Sequence, residues 1–415
     1  MTPDFERSYR IERCRLCQSR DLDRYLDLGA QPPANRFIRP TDIAAEKRFP
    51  LEVVRCARCG FSQLSFVVAA QDLFSQYSYL SSTSAPLREH YAKLASELCA
   101  RFNIDSNALV VDVGANDGVM LHAFSQAAPR RIGIEPSDAA LVANRTGFDI
   151  VRRFLDEEAV QEVLRRAGRA CIVTATNVFA HIDDLVRATD CFRRLLDDDG
   201  VLVVEAPYLY DMLEGLYFDT VYHEHLSYIS VSPLVPFLRK QGLRLFDVVR
   251  VDFGASGPAL RLFICLEAAV HAATSRVQEM LDFERKAKLH LANPYRTFSQ
   301  RISAWRETML ATIAETRRGR RLGAYTAPAK GNTLLNYLQL TPEDVVAVAE
   351  NNERKIGMIT PGTHVPIVDD ETFLSLGIDH AILLSWNYAA YFLANSEFKR
   401  RGGSFIIPLP QVRIG

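Results

Sequence analysis

Residues 217–228, Tyr217-Phe218-Asp219-Thr220-Val221-Tyr222-His223-Glu224-His225-Leu226-Ser227-Tyr228, place three consecutive titratable side chains among three tyrosines. Histidine and glutamate are the side chains that take protons near neutrality, and a phenol can donate to a developing oxyanion, so this run suits general-base chemistry in a pocket. A metal is the competing chemistry. His223 and His225 are two apart and share a face only on a strand, and no third ligand stands at a supporting spacing. A hydrogen-bonded loop that merely pins helices is the structural alternative.

A second cluster is Cys14-Arg15-Leu16-Cys17 with Cys56-Ala57-Arg58-Cys59, two C-x2-C pairs separated by 38 residues. Four thiolates fill a tetrahedral zinc and leave no open position, so Cys14, Cys17, Cys56 and Cys59 are expected to hold one structural Zn2+ per chain. The separation exceeds that of a zinc ribbon, so residues 29–37 lie outside the knuckles or are used elsewhere. Cys99, Cys171, Cys191 and Cys265 stand alone in apolar segments and read as buried small hydrophobes.

The third signal is an apolar β-branched run, Leu109 to Val113, that stops at Gly114-Ala115-Asn116-Asp117-Gly118 and turns helical. This is the first βα turn of a doubly wound sheet, and Glu135, ending the next strand, is placed to accept from a ribose diol. A dinucleotide needs G-x-G-x-x-G, but Asn116 stands at the second glycine, and Asp112 would repel a pyrophosphate. S-adenosylmethionine carries an ammonium group and no phosphate, which favours it over NAD. Asp112, Gly114, Asn116, Gly118, Glu135 and Asn177 are the expected cofactor contacts. An ordinary tight turn in an α/β domain is the structural alternative.

These residues need a scaffold. At 415 residues, 48% hydrophobic and 24% charged, the chain reads as two or three globular domains. A net charge of -1 suggests no nucleic-acid partner. The sequence shows no membrane-length apolar run and no signal-peptide core, so a cytoplasmic protein without a membrane partner, monomeric or weakly homo-oligomeric, is expected. Helices at 137–145, 157–166 and 184–196 alternate with strands at 148–150, 171–175 and 201–205, predicting a mostly parallel sheet, with residues 197–200 as the turn into its last strand. A helix over 86–100 is expected to start at an N-cap Ser84, with Glu89 and Lys93 as a surface pair. A helix at 234–242 and strands at 243–251 and 260–266 follow. The region 273–318 reads as a helical connector with a solvated face, broken at Asn293-Pro294. A second unit then runs from strand 322–325 through loop 326–333 into helix 334–338, with strands at 345–349 and 382–386. The expected architecture is α/β throughout. A small N-terminal four-cysteine zinc-binding domain spans 1–70, a central Rossmann-like S-adenosylmethionine-binding domain spans 71–270, and a C-terminal Rossmann-like α/β domain with its connector spans 271–415.

With these pieces assembled, the chain resembles the three-domain C-methyltransferases that act on nucleotide-linked deoxysugars to make branched-chain sugars. The resemblance rests on the two cysteine pairs, Tyr79-Leu80-Ser81-Ser82-Thr83-Ser84, Gly114 to Gly118, Gly133-Ile134-Glu135-Pro136, Phe218 to His225, Ala329-Lys330-Gly331-Asn332-Thr333 and Pro361-Gly362-Thr363-His364-Val365-Pro366-Ile367. It implies methyl transfer to C3 of a 4-keto-deoxysugar carried on a nucleoside diphosphate, the C-terminal domain helping to hold that nucleotide sugar. Tyr77, Tyr79, Ser82, Lys330 and Asn332 are then the expected substrate contacts. A carbon becomes nucleophilic only as an enolate, which a neighbouring ketone permits. His225 is therefore read as the base, Glu224 as orienting it or sharing its role, and Tyr222 and His181 as neighbours of the enolate oxygen. Two departures bear on the substrate. Ser256-Gly257-Pro258-Ala259-Leu260-Arg261 lacks the family's His-Gly-Gly-Ser run, and Glu350-Asn351-Asn352 replaces its usual acid and arginine. An NAD-dependent oxidoreductase of nucleotide sugars and a non-catalytic binding protein on a methyltransferase fold are the alternative readings.

Overall fold

A computed structural model describes residues 7–74, 80–125, 127–128, 130–252 and 257–415, with nothing described of the side chains of Gln71 and Phe74. Tyr77, Tyr79 and Ser256 lie outside the described residues.

The central sheet has seven strands, in the order Leu243–Val251, Ala259–Leu266, Leu196–Pro207, Ala170–Thr176, Leu109–Val113, Arg130–Ile134 and Asp149–Val151. The last five pair in parallel, and the first two form an antiparallel edge. Leu109–Val113 is buried along its whole length, as expected of a strand covered on both faces. Helices flank it with local signals in place. Asp156 caps Glu157–Arg166 by accepting from the Ala159 amide at 2.8 Å, with acids in the first turn and arginines in the last to complement the helix dipole. Ser84 caps Ala85–Phe102, and Lys93 pairs with Glu89 at 2.8 Å.

The N-terminal module is a four-stranded antiparallel sheet in the order Ser227–Tyr228, Ser62–Leu64, Phe49–Cys56, Leu22–Gln31. Its edge strand, Ser227–Tyr228, comes from the middle of the chain. The C-terminal sheet runs Ile367–Val368, Val348–Ala349, Leu322–Tyr325, His380–Leu383, Ser404–Ile407, Arg413–Ile414, parallel except for the last pair.

Four local expectations change. Residues 197–200, read as a turn, continue strand Leu196–Pro207 through an irregular register with Ala170–Thr176. The helix expected from 334 begins at Ala329, so Lys330 to Thr333 form its first turns rather than a loop. The C-terminal strands are shorter than expected at Val348–Ala349, and the next ends at Leu383, with Trp386 in the turn that follows. The region read as a solvated connector breaks at Asn293-Pro294 into Ser275–Lys286 and Asn293–Thr316. The second of these buries Tyr295, Phe298, Ile302, Trp305, Met309 and Ile313. Those residues recur every three or four positions, a stripe that charged neighbours mask in the sequence.

Candidate active site

The glycine loop is shaped by contacts that leave no room for side chains. Gly114 sits at φ +73°, and a Cβ there would come 2.1 Å from Cγ2 of Val178. Asn116, also in the left-handed region at φ +50°, is a residue type that tolerates it. Glu135 organises the loop, its two oxygens accepting from the amides of Asn116 at 2.9 Å and Ser137 at 2.8 Å. A carboxylate has about four acceptor positions, so a ribose diol can still be taken up there. Asp112 is buried beside it and accepts from the Thr174 hydroxyl at 2.6 Å. Burial, with the Glu135 charge nearby, pushes the Asp112 carboxyl up to about 7. A desolvated acid of this kind favours a ligand that brings a positive charge.

This loop opens into a cavity of about 1130 Å³ whose lining includes Asp112, Gly114, Asn116, Glu135 and Asn177. The same cavity is lined by His181, Tyr222, Glu224 and His225, and by Lys330 of the C-terminal unit. Gly118 does not line it. That glycine, at φ +87°, starts the short helix Val119–Ala123, where a Cβ would strike Phe148 at 2.6 Å. Ser82 lies against the loop instead of facing the cavity, its amide donating to Asp117, while the Ser81 amide donates to Asn116 at 2.8 Å. Asn332 is buried away from the cavity because its Nδ2 donates to the carbonyl of Ala34 at 2.7 Å.

In the Tyr222/Glu224/His225 cluster the imidazole of His225 packs on the rings of Tyr222, with centroids 3.9 Å apart, and His181, at 5.0 Å. Its Nδ1 is 2.7 Å from the Thr220 carbonyl. A carbonyl only accepts, so Nδ1 carries the proton and Nε2 keeps the lone pair. Burial lowers His225 to about 4 and His181 to about 3, and raises Glu224 to about 7. His223 faces the other way, its Nε2 3.3 Å from the Phe49 carbonyl. Among the described residues, the histidine pair therefore shares no metal site.

Part of the cavity wall is built by the C-terminal unit. Lys330 Nζ donates to Asn387 and stands 4.4 Å from the centre of the Trp386 ring. Burial lowers its ammonium to about 8, and the buried Asp219 opposes that. Trp386 Nε1 donates to Asp219 Oδ2 at 2.6 Å. Asp219 was legible as part of a motif but carried no role. Asn35 was missed altogether, although its Nδ2 lies 2.8 and 3.0 Å from the two oxygens of Glu224. The only signal for it was an unexplained polar residue in the long gap between the cysteine pairs.

Those pairs converge. The sulfurs of Cys14, Cys17, Cys56 and Cys59 all lie within 4.8 Å of one another, with Cys14 to Cys59 at 3.6 Å and Cys17 to Cys56 at 3.5 Å. A tetrahedron of sulfurs about 2.3 Å from zinc has edges of roughly 3.8 Å, so the donor set fits that ion.

Comparison with known proteins agrees along the chain. Residues 14–74 match the model of a putative zinc binding domain, 87–248 that of a methyltransferase domain, and 255–410 that of a C-methyltransferase C-terminal domain. The chain is 34% identical over 411 residues to the C-methyltransferase NovU of Streptomyces niveus, covering 97% of each protein. Solved structures resembling it include an S-adenosylmethionine-dependent methyltransferase from Clostridium acetobutylicum ATCC 824 (10% identity, TM-score 0.35, 43% of this chain and 92% of that one). Another is the magnesium protoporphyrin IX methyltransferase ChlM of Synechocystis PCC 6803 (13% identity, TM-score 0.32, 43% and 78%). Likenesses of that size carry no argument about chemistry. On the full-length identity and the three matched segments, the chain belongs to the family of zinc-binding, S-adenosylmethionine-dependent C-methyltransferases.

Proposed function

We propose that the enzyme methylates the carbon next to the ketone of a nucleotide-linked 4-keto-deoxysugar, at C3, in the formation of a branched-chain sugar. The observation that carries this reading is one cavity lined by the glycine loop, the Tyr222/Glu224/His225 cluster and the Lys330 ammonium. The methyl donor has a place beside Asp112 and Glu135, a carbon acid has one beside the base, and an anionic carrier has one beside the buried cation.

When bound, S-adenosylmethionine supplies an electrophilic sulfonium methyl group. His225 Nε2 takes the proton from the carbon. Burial penalises an isolated imidazolium, but beside an enolate the two new charges offset each other in a medium where Coulomb terms are strong. Glu224, ionised above about 7, orients or shares this role. The Tyr222 phenol and His181 border the enolate oxygen, and a single donor aimed at it is worth about 3 to 4 kcal/mol. With the C–H bond already broken, the enolate carbon would take the methyl group as the methyl–sulfur bond breaks and a neutral thioether leaves, and the proton held by His225 returns to solvent after product leaves. Lys330 contacts the substrate's diphosphate. Tyr77 and Tyr79 remain proposed substrate contacts from the family motif. Asp112 would hold the cofactor's ammonium, and Gly114, Asn116 and Asn177 would hold the rest of it against the loop.

The zinc is structural, because four cysteines complete its coordination and none of them lines the cavity.

Deuterium exchange at the carbon next to the ketone, run without methyl donor on a nucleotide-linked 4-keto-6-deoxyhexose, tests the base. His225→Asn should lose exchange and methylation together, by the roughly 10²–10⁴-fold typical of a general base, and Glu224→Gln should slow both less. Exchange retained in the histidine variant would move the base elsewhere. A second expectation concerns the cofactor. Because Asp112 must ionise near pH 7 to face an ammonium, calorimetry should show affinity for S-adenosylmethionine rising as pH increases towards 7. Asp112→Asn should bind weakly with a flat profile, and an unchanged pH dependence in that variant would remove Asp112 from the cofactor site. Metal analysis should find about one zinc per chain. Chelation should loosen the N-terminal module and abolish turnover together, whereas lost turnover with an intact fold and intact cofactor binding would contradict a structural ion.

A further inference from the structure

The Glu224 carboxylate is reached from the N-terminal module. The segment carrying Asn35 is fixed on several sides. The Arg36 amide closes a turn onto the Pro33 carbonyl at 3.0 Å, Ala34 accepts from Asn332, Phe37 is buried, and Ile38 bridges to Ile359. A side chain on so constrained a backbone has little freedom to leave its partner. Both contacts from Asn35 go to Glu224 through one amide nitrogen, at 2.8 and 3.0 Å, so a donor spans both carboxylate oxygens.

We propose that Asn35, carried by the zinc-binding module, is a positioning residue of the methyl-transfer site that holds the Glu224 carboxylate in one orientation and in its ionised form. The proposal rests on the reading of the site given above. The physical reason is that a hydrogen bond donated to a carboxylate stabilises its charged form, most strongly where water cannot substitute for it. Glu224 is such a case. Burial pushes its carboxyl up to about 7, and the Asn35 bond is the influence that opposes burial. Other titratable groups lining the same cavity include Arg7 and Tyr9 from the N-terminal module, His181, Tyr222 and His225 from the central domain, and Lys330 from the C-terminal domain. Loss of the Asn35 donor should move the Glu224 midpoint upward by about one pH unit, leaving roughly fivefold less carboxylate at pH 7. The zinc module thus reaches the chemistry through an amide, with no metal-bound water involved.

The test is infrared titration of the zinc-replete full-length protein, following the stretch of protonated carboxyl groups. Subtracting Glu224→Gln separates Glu224 from Asp112, the other buried acid in the same range. The midpoint should lie near 7 in the unmodified protein and about one pH unit higher in Asn35→Ala. Asn35→Asp keeps the size of the side chain, so it guards against a folding failure. It removes the donor and adds a like charge, and the midpoint should again rise. A midpoint that does not move in either folded variant overturns the proposal. In the exchange assay with the nucleotide-linked 4-keto-6-deoxyhexose, the acid limb of the rate should follow the same displacement. Absence of exchange in the unmodified protein would count against the functional reading, and the infrared midpoints would still decide the role of Asn35.

Discussion

The site depends on how residues 217–228 are held. Ser227–Tyr228 is the edge strand of the zinc module's sheet, and the Leu64 amide donates to the Leu226 carbonyl at 2.9 Å. The other end of the segment is held by the C-terminal domain, where Trp386 donates to Asp219 and Thr333 donates to the Val221 carbonyl at 3.3 Å. Phe218 anchors it, its ring edge-to-face with Trp305 at 4.8 Å and Tyr337 at 5.4 Å. A loop of polar and titratable side chains carries a high desolvation cost when buried, and that cost is met only where backbone and side-chain partners are fixed beforehand. All three domains supply those partners, so residues 217–228 cannot be placed by the central domain alone.

The electrostatics of the cavity share one direction. Burial pushes the acids Asp112 and Glu224 up to about 7 and the bases His225 and Lys330 down to about 4 and 8. Each shift disfavours an isolated charge, and each is relieved by a ligand charge of opposite sign. The cavity therefore favours a cation beside Asp112 and an anion beside Lys330. An oxidoreductase with a pyrophosphate-bearing cofactor would need the opposite sign at the glycine loop.

Much of this was legible in sequence because it is local. The glycine loop and the alternation of the central sheet follow from spacing and backbone requirements within a few residues, and the two C-x2-C knuckles, though 38 residues apart, each carry the same local spacing. The run at 222–225 stands out in sequence as a gathering of titratable residues, and the structure brings Tyr222, Glu224 and His225 to one cavity. What was not legible is long-range. Nothing near residue 35 marks Asn35 as a partner of a residue 189 positions away. Asn332 sits inside a family motif, yet its amide serves the Ala34 carbonyl, because the helix begins at Ala329 and turns that side chain toward the zinc module. The helix Asn293–Thr316 reads as a connector in sequence because its apolar stripe is spread thinly over 24 residues among threonines, serines and alanines.

One cavity walled by three domains would bring a methyl donor to a ketone-activated carbon. Carbon NMR of the product formed from S-adenosylmethionine bearing a ¹³C methyl group and a nucleotide-linked 4-keto-6-deoxyhexose tests it directly. The account predicts the label in a methyl group bonded to the carbon beside the ketone, with that carbon's original proton gone to solvent. Label found on oxygen or nitrogen, or on a carbon not adjacent to the ketone, would contradict it.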